Sequence, residues 1–146
     1  MFDDELHPEA FSIIKDIRIA ENSGERIPMY NMNHMEARAS YLAMRSALSP
    51  PAPKILKSIN IKIPVENQKI NARYYRGINK DEKELLPLTI FFHGGGWVIG
   101  DLDTHDVVCR QLANEGQFDV LAIDYRMGPE HRFPTAIDDA INSINW

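Results

Sequence analysis

The sequence predicts an α/β fold on three observations. Apolar residues recur at helical spacing across the first fifty residues, strict alternation runs from Ile59 to Tyr74, and two continuous apolar runs, Leu88–Phe92 and residues 120–123, flank a further helical stretch. Continuous runs of that length suit parallel strands covered on both faces.

Each element has a local reason. Pro8 suits a first helical turn, and Phe11, Ile14 and Ile17 with Ile13 and Ala20 follow the i, i+3, i+4 pattern. After a break at 21–28, a second helix is predicted over 28–48, with Met32, Met35, Ala39, Leu42 and Ala43 on one face. Pro50, Pro51 and Pro53 end it, because proline continues neither a helix nor a central strand, and they divide the chain into segments 1–50 and 51–146. The period then changes to two: Ile59, Ile61, Ile63 and Val65, then Ile70, Ala72 and Tyr74 against Asn71 and Arg73. These read as an antiparallel pair with its turn at 65–69, followed by a polar loop at 77–84. Between the apolar runs, a helix capped by Asp103 or Thr104 turns Val108, Cys109, Leu112 and Ala113 to the sheet and stops at Gly116. A last helix opens at Pro134 and carries Ile137, Ala140, Ile141 and Ile144.

Composition narrows the function classes. A chain of 146 residues, 44% hydrophobic and 25% charged, is that of one globular domain. A net charge of -5 gives no basic stripe for nucleic acid or an anionic membrane, and a short neutral or apolar substrate fits better. The acidic Met1–Glu5 start lacks the charged and apolar regions of a secretion signal, and no apolar stretch is long enough for a membrane span. The single cysteine, Cys109, suits a reducing compartment, so the expected location is cytoplasmic.

The chemistry concentrates at His93-Gly94-Gly95-Gly96-Trp97, directly after the first apolar run. Glycines at the end of a buried strand let the backbone turn with no Cβ in the way, so the Gly94 and Gly95 N–H groups can point at a developing oxyanion. Gly96 is assigned to close packing, and His93 to support of the loop through hydrogen bonds to neighbouring backbone. Trp97 has two readings, a wall of an acyl or alcohol pocket or a core aromatic beneath the loop. The usual partner of such a loop is a Gly-x-Ser-x-Gly elbow carrying the nucleophile, and none of the eight glycines frames a serine in that pattern.

Residues 93–101 together with 124–134, which read Asp124-Tyr125-Arg126-Met127-Gly128-Pro129-Glu130-His131-Arg132-Phe133-Pro134, resemble the hormone-sensitive lipase family of α/β-hydrolases. Met127-Gly128 stands where that family usually has Leu-Ala, a change expected to cost only a small backbone adjustment. The resemblance implies the N-terminal part of an α/β-hydrolase sheet, with 1–50 a helical cap segment and 51–146 the incomplete hydrolase domain. It implies a serine carboxylic-ester hydrolase acting on a small ester, with no metal or organic cofactor. The Ser, Asp and His triad would come from a missing C-terminal half or a complementary chain, leaving this chain inactive alone. Because the family's catalytic histidine lies near its C-terminus, His93 is not assigned as the base. The strand Leu88–Phe92 would be left with an open edge, an aggregation or pairing hazard that predicts instability alone. Met29, Met32, Met35 and Met44 fall in the cap, where flexible side chains could accommodate varied acyl chains or simply pack. The competing reading is a non-catalytic ligand-binding or regulatory module, or one chain of a split hydrolase.

Other constellations are read as structural. Asp101, Asp103, His105 and Asp106, with Glu130 and His131, match no metal signature and suit helix capping. Cys109 follows His105 by one helical turn, but its apolar neighbours predict a buried, inert thiol. Asp124, Arg126, Glu130 and Arg132 are expected to form an ion-pair network that fixes their loop.

Overall fold

The computed structural model describes residues 6–146, so the acidic start Met1–Glu5 lies outside the described residues. The chain divides into two compact units, Met1–Ala37 and Arg38–Trp146, at a point that precedes the proline cluster.

In the first unit, α1 spans Pro8–Asn22 with Pro8 in its first turn and His7 at the N-cap. Phe11, Ile14, Ile17 and Ala20 are half-buried as the periodicity predicts, whereas Ile13, grouped with them, falls off the stripe and is exposed. The second helix starts later than predicted. A 3-10 turn covers Met29–Asn31 and α2 spans His34–Leu48. The cause is a capping box: Asn33 Oδ1 accepts from the amides of Met35 and Glu36, both at 3.0 Å, and Glu36 Oε2 accepts from the Asn33 amide at 3.0 Å.

Across α2 the predicted apolar face is also corrected. Met35, Ala39, Leu42 and Ala43 are exposed, while Tyr41, Met44, Arg38 and Arg45 are half-buried. Within the second unit, the two arginines reach backbone carbonyls from that face, Arg45 Nε donating to Thr104 at 3.2 Å and Arg38 Nε to Val98 at 2.8 Å. Charge-assisted hydrogen bonds therefore act on the same face as buried Ala37 and half-buried Tyr41 and Met44.

The second unit is built on a four-stranded sheet in the order β1–β2–β4–β3, with β1 at Lys57–Val65, β2 at Gln68–Arg76, β3 at Leu88–Phe92 and β4 at Asp119–Asp124. β1 and β2 are antiparallel around a turn at Glu66 and Asn67, β2 and β4 are antiparallel, and β3 and β4 are parallel. β4 lies between β2 and β3 and is the fully covered strand that its apolar run predicts. β3 is less covered than its run suggests, with Leu88 51% and Phe92 37% exposed. It has one neighbour among the described residues, so its outer edge is open.

Two apolar layers lie on either side. One joins Ile63, Val65, Ile70, Ala72, Leu121, Ile123 and Tyr125, with Ala136 of α4 (Thr135–Asn145) packed against it. The other joins Tyr75, Val120 and Ala122 to Leu102 and to Cys109 and Ala113 of α3 (Asp106–Glu115). Because this second face is also covered, Arg73 does not point to solvent as the alternation implies. Its guanidinium pairs with Asp103 at 2.9 Å and Asp106 at 3.2 Å.

α3 begins at Asp106, with His105 at its N-cap and no side-chain cap bond, so neither Asp103 nor Thr104 caps it. A separate turn precedes it, closed by Asp101 Oδ1, which accepts from the amides of Asp103 at 2.9 Å and Thr104 at 2.7 Å. Gly116 does stop α3, but in extended backbone. What glycine supplies there is room, since a Cβ would stand 2.5 Å from the Phe118 ring.

The polar loop at 77–84 is tied down by one side chain. Arg76 donates to the carbonyls of Asp81, Glu82 and Glu84 and pairs with buried Asp119 at 2.6 Å.

Candidate active site

β3 delivers the chain to His93, which is 4% exposed, and the backbone then turns through the three glycines. Three successive carbonyls are taken up there. The Tyr125 hydroxyl donates to the His93 carbonyl at 2.6 Å, His93 Nδ1 lies 3.0 Å from the Gly94 carbonyl, and the amides of Val98 and Ile99 donate to the Gly95 carbonyl at 3.1 and 3.0 Å. A carbonyl only accepts, so His93 carries its proton on Nδ1 and donates. The supporting hydrogen bond expected of His93 is therefore present. In a trans peptide the N–H lies antiparallel to the C=O. The N–H groups of Gly94, Gly95 and Gly96 consequently face away from those partners, and no backbone acceptor takes up Gly94 or Gly95 among the described residues.

The glycines divide their work differently from the expectation. Gly95 has φ +139°, and a Cβ there would lie 1.8 Å from the Ile99 carbonyl oxygen, so it is the close-packed one. Gly96, expected to serve close packing, has nothing within 4 Å of a Cβ built there. Its φ of +60° is the reason for glycine. Gly94 has neither constraint. Gly100 makes room for the imidazole, since a Cβ would stand 2.5 Å from His93 Nδ1.

Trp97 is 68% exposed and holds φ 59°, which excludes the core-aromatic reading. It borders two apolar depressions. One, of about 440 Å³, runs between the glycines, Phe92 and the Ile137 to Ile144 side of α4; the other, of about 480 Å³, is walled by Trp97, Val98, Phe133, Pro134 and Ile137.

The segment after β4 locks onto this loop. The Gly128 amide donates to the Trp97 carbonyl at 2.8 Å. Arg38 clasps both segments, donating to the carbonyls of Val98 at 2.8 Å and Gly128 at 2.9 Å while its two terminal nitrogens meet Glu130 at 2.7 and 2.9 Å. The hydrogen bond to Glu130 raises the pKa of Arg38. Of the four charges expected to form a network, Arg126 pairs with Asp139, Glu130 with Arg38, and Asp124 accepts from Asn71 Nδ2 at 3.0 Å. Arg132 has no ion pair among the described residues. Asp139 is fully buried and also accepts from the Arg126 amide at 2.9 Å, so it fixes both the side chain and the backbone there. Arg38, Asp139 and Tyr125 carry much of this geometry and were not singled out from the sequence. Their partners lie 60, 13 and 32 positions away, beyond any local pattern.

Behind the loop, aromatic rings stack: Tyr125 on His93 with centroids 4.5 Å apart, and His93 on His105 at 5.5 Å. Burial, and then the nearby His93, lower the pKa of His105 and keep it neutral. The acidic residues considered as metal ligands have other partners. Asp103 pairs with Arg73; burial alone would raise the pKa of Asp106, but hydrogen bonds from Arg110, Tyr75 and Arg73 outweigh it and the pKa falls. Cys109 is fully buried, and desolvation pushes its thiol up to about 12, the inert state its neighbours predict.

A family profile described as the alpha/beta hydrolase fold matches residues 89–146. The chain superposes on an alpha/beta hydrolase from the metagenome of Lake Arreo with a TM-score of 0.87 and 35% identity, covering 96% of this chain and 44% of that one. It is 40% identical over 111 residues to the carboxylic ester hydrolase LipN of Mycobacterium tuberculosis, covering 75% of this chain and 28% of the relative. The chain belongs to the hormone-sensitive lipase family of α/β-hydrolases. A third relative, the ethyl acetate hydrolase of Pseudomonas putida, is 29% identical over 143 residues, 97% of this chain and 45% of that protein. The chain thus spans less than half the length of these hydrolases. The family's Ala is replaced here by Gly128, where a Cβ would meet nothing closer than 3.8 Å. The departure therefore leaves the α/β-hydrolase backbone unstrained.

Proposed function

We propose that this chain is the N-terminal part of a serine carboxylic-ester hydrolase in which Gly94 and Gly95 form the oxyanion hole. The observation that carries this reading is that the carbonyls of His93 and Gly94 are both engaged, which turns the Gly94 and Gly95 N–H groups away from those partners, and that no backbone acceptor takes them up among the described residues. Preorganised donors of this kind stabilise charge as it develops, at no cost in reorganisation. The names of the relatives, a carboxylic ester hydrolase and an ethyl acetate hydrolase, favour an ester substrate.

In the reaction a serine Oγ gives its proton to a histidine as it attacks the ester carbonyl, and the carbonyl electron pair moves to oxygen and is held by the two amides. Collapse expels the alcohol, which takes a proton from histidine, and water then hydrolyses the acyl-enzyme. The serine, its histidine and the orienting aspartate would come from chain outside residues 1–146, as would a third oxyanion donor. Trp97 and the apolar depressions beside it would receive the acyl or alcohol group, and the helices of segment 1–50 would form a cap. No metal or organic cofactor enters this chemistry. Among the described residues no helix is long and apolar enough to cross a membrane. A cytoplasmic location is part of the proposal and rests on the lone cysteine.

A serine-directed fluorophosphonate tests the assignment. The 146-residue chain by itself is expected to remain unlabelled, and labelling is expected only when the remaining part of the hydrolase is present. Labelling of the chain by itself would overturn the claim that the nucleophile lies elsewhere, and absence of labelling in the completed protein would favour a ligand-binding module.

A further inference from the structure

Tyr125 is buried, 8% exposed, at the base of the apolar depression beside the glycines, and it meets one residue of the glycine loop in two ways. Its hydroxyl donates to the His93 carbonyl at 2.6 Å, and its ring lies on the His93 imidazole, centroids 4.5 Å apart and planes 16° apart. We propose that Tyr125 is a positioning residue of the oxyanion loop, its hydroxyl setting the direction of the Gly94 N–H and its ring, through His93, that of Gly95. This rests on the reading of Gly94 and Gly95 as oxyanion donors.

Two planar peptides carry the two N–H groups. The His93 carbonyl and the Gly94 N–H belong to one plane, so holding the carbonyl from beneath turns the N–H outward. Gly94 has no positive φ, and nothing would crowd a Cβ there, so neither strain nor packing at Gly94 fixes that plane. The phenol supplies the restraint. The next plane, Gly94 carbonyl with Gly95 N–H, is held by His93 Nδ1 at 3.0 Å. The imidazole reaches that carbonyl because its ring is clamped between Tyr125 and His105 and because Gly100 leaves room at Nδ1. A phenylalanine would fill the same volume and keep the stack but would release the first plane, leaving a buried carbonyl without a partner. A residue that only filled the core would not need the hydroxyl.

The test is Tyr125→Phe, read by residual dipolar couplings of the Gly94 and Gly95 N–H vectors in the 15N-labelled chain. The couplings of wild-type Gly94 should fit the outward direction, and in Y125F they should move while those of β1, β2 and α3 stay in place. In the completed hydrolase, kcat on a p-nitrophenyl ester should fall roughly tenfold with KM unchanged, less than the ~10²–10³-fold loss that follows removal of an oxyanion donor. Unchanged Gly94 couplings in Y125F overturn the proposal whatever the activity does. Couplings that move in a protein showing no ester hydrolysis when complete support the positioning role and refute the oxyanion reading instead.

Discussion

α3 and α4 flank one sheet, and they bury opposite kinds of side chain. α3 turns Cys109 and Ala113 inward against Val120 and Ala122, the ordinary arrangement of an amphipathic helix. α4 buries Asp139 and Ser143, and leaves Ile137, Ile141 and Ile144 47%, 52% and 61% exposed. The same side of the molecule also carries the open edge of β3, the exposed Phe92 and the outward-facing glycine amides. One side is a closed core. The other is held by a polar clasp and presents its apolar surface outward, and the proposed function assigns that surface to contact with the rest of a hydrolase.

The largest expected effect is on the polar clasp. Asp139→Ala removes the acceptor of both the Arg126 guanidinium and the Arg126 amide, and should destabilise the chain by about 3–5 kcal/mol in urea unfolding. A loss below about 1 kcal/mol would mean that α4 is held by apolar contacts after all. On the closed side, Cys109→Ser places a hydroxyl among Tyr75, Val120 and Ala113, and should cost about 1–3 kcal/mol by the same measurement. An unchanged midpoint would argue that this core is less sealed than its burial indicates.

A smaller contribution depends on pH. The pKa of His105 is lowered by burial in the folded chain, so the unfolded chain takes up the proton first. Its contribution is intact above the unfolded value of about 6.5 and is lost as pH falls below it. Unfolding midpoints of His105→Gln should therefore lose part of the decline seen in the parent as pH falls below about 6.5. Parallel curves would remove His105 from the account.

The smallest effect belongs to the outward face. Ile141→Glu should change the stability of the 146-residue chain by no more than about 0.5 kcal/mol while raising its solubility. Loss of folding in this variant would show that Ile141 packs within the chain and that the face is not open.

The elements that the sequence predicts well are those whose burial follows their own period. β4, α3 and the β1–β2 pair formed where the apolar pattern placed them, and the glycine loop followed β3 as its neighbours imply. Helical spacing does not show which face of a helix is covered. The spacing of Ile137, Ile141 and Ile144 marks a helix but cannot say whether its stripe is covered, and the covered face of α2 includes Arg38 and Arg45, which reach distant carbonyls. A string of glycines likewise does not reveal which one supplies a positive φ and which one space. Only the return of Ile99 onto Gly95 separates them. One missed signal was local, the Asn33 and Glu36 capping box, which the sequence displays in full.

The proposed function makes the outward face part of an ester hydrolase whose nucleophile lies in further polypeptide. Reading the gene beyond the Trp146 codon tests it most directly. The expected result is coding sequence that continues into a strand ending in Gly-x-Ser-x-Gly, followed by an aspartate and a histidine able to complete the triad. A stop codon there, with no such sequence in a neighbouring reading frame, would contradict it.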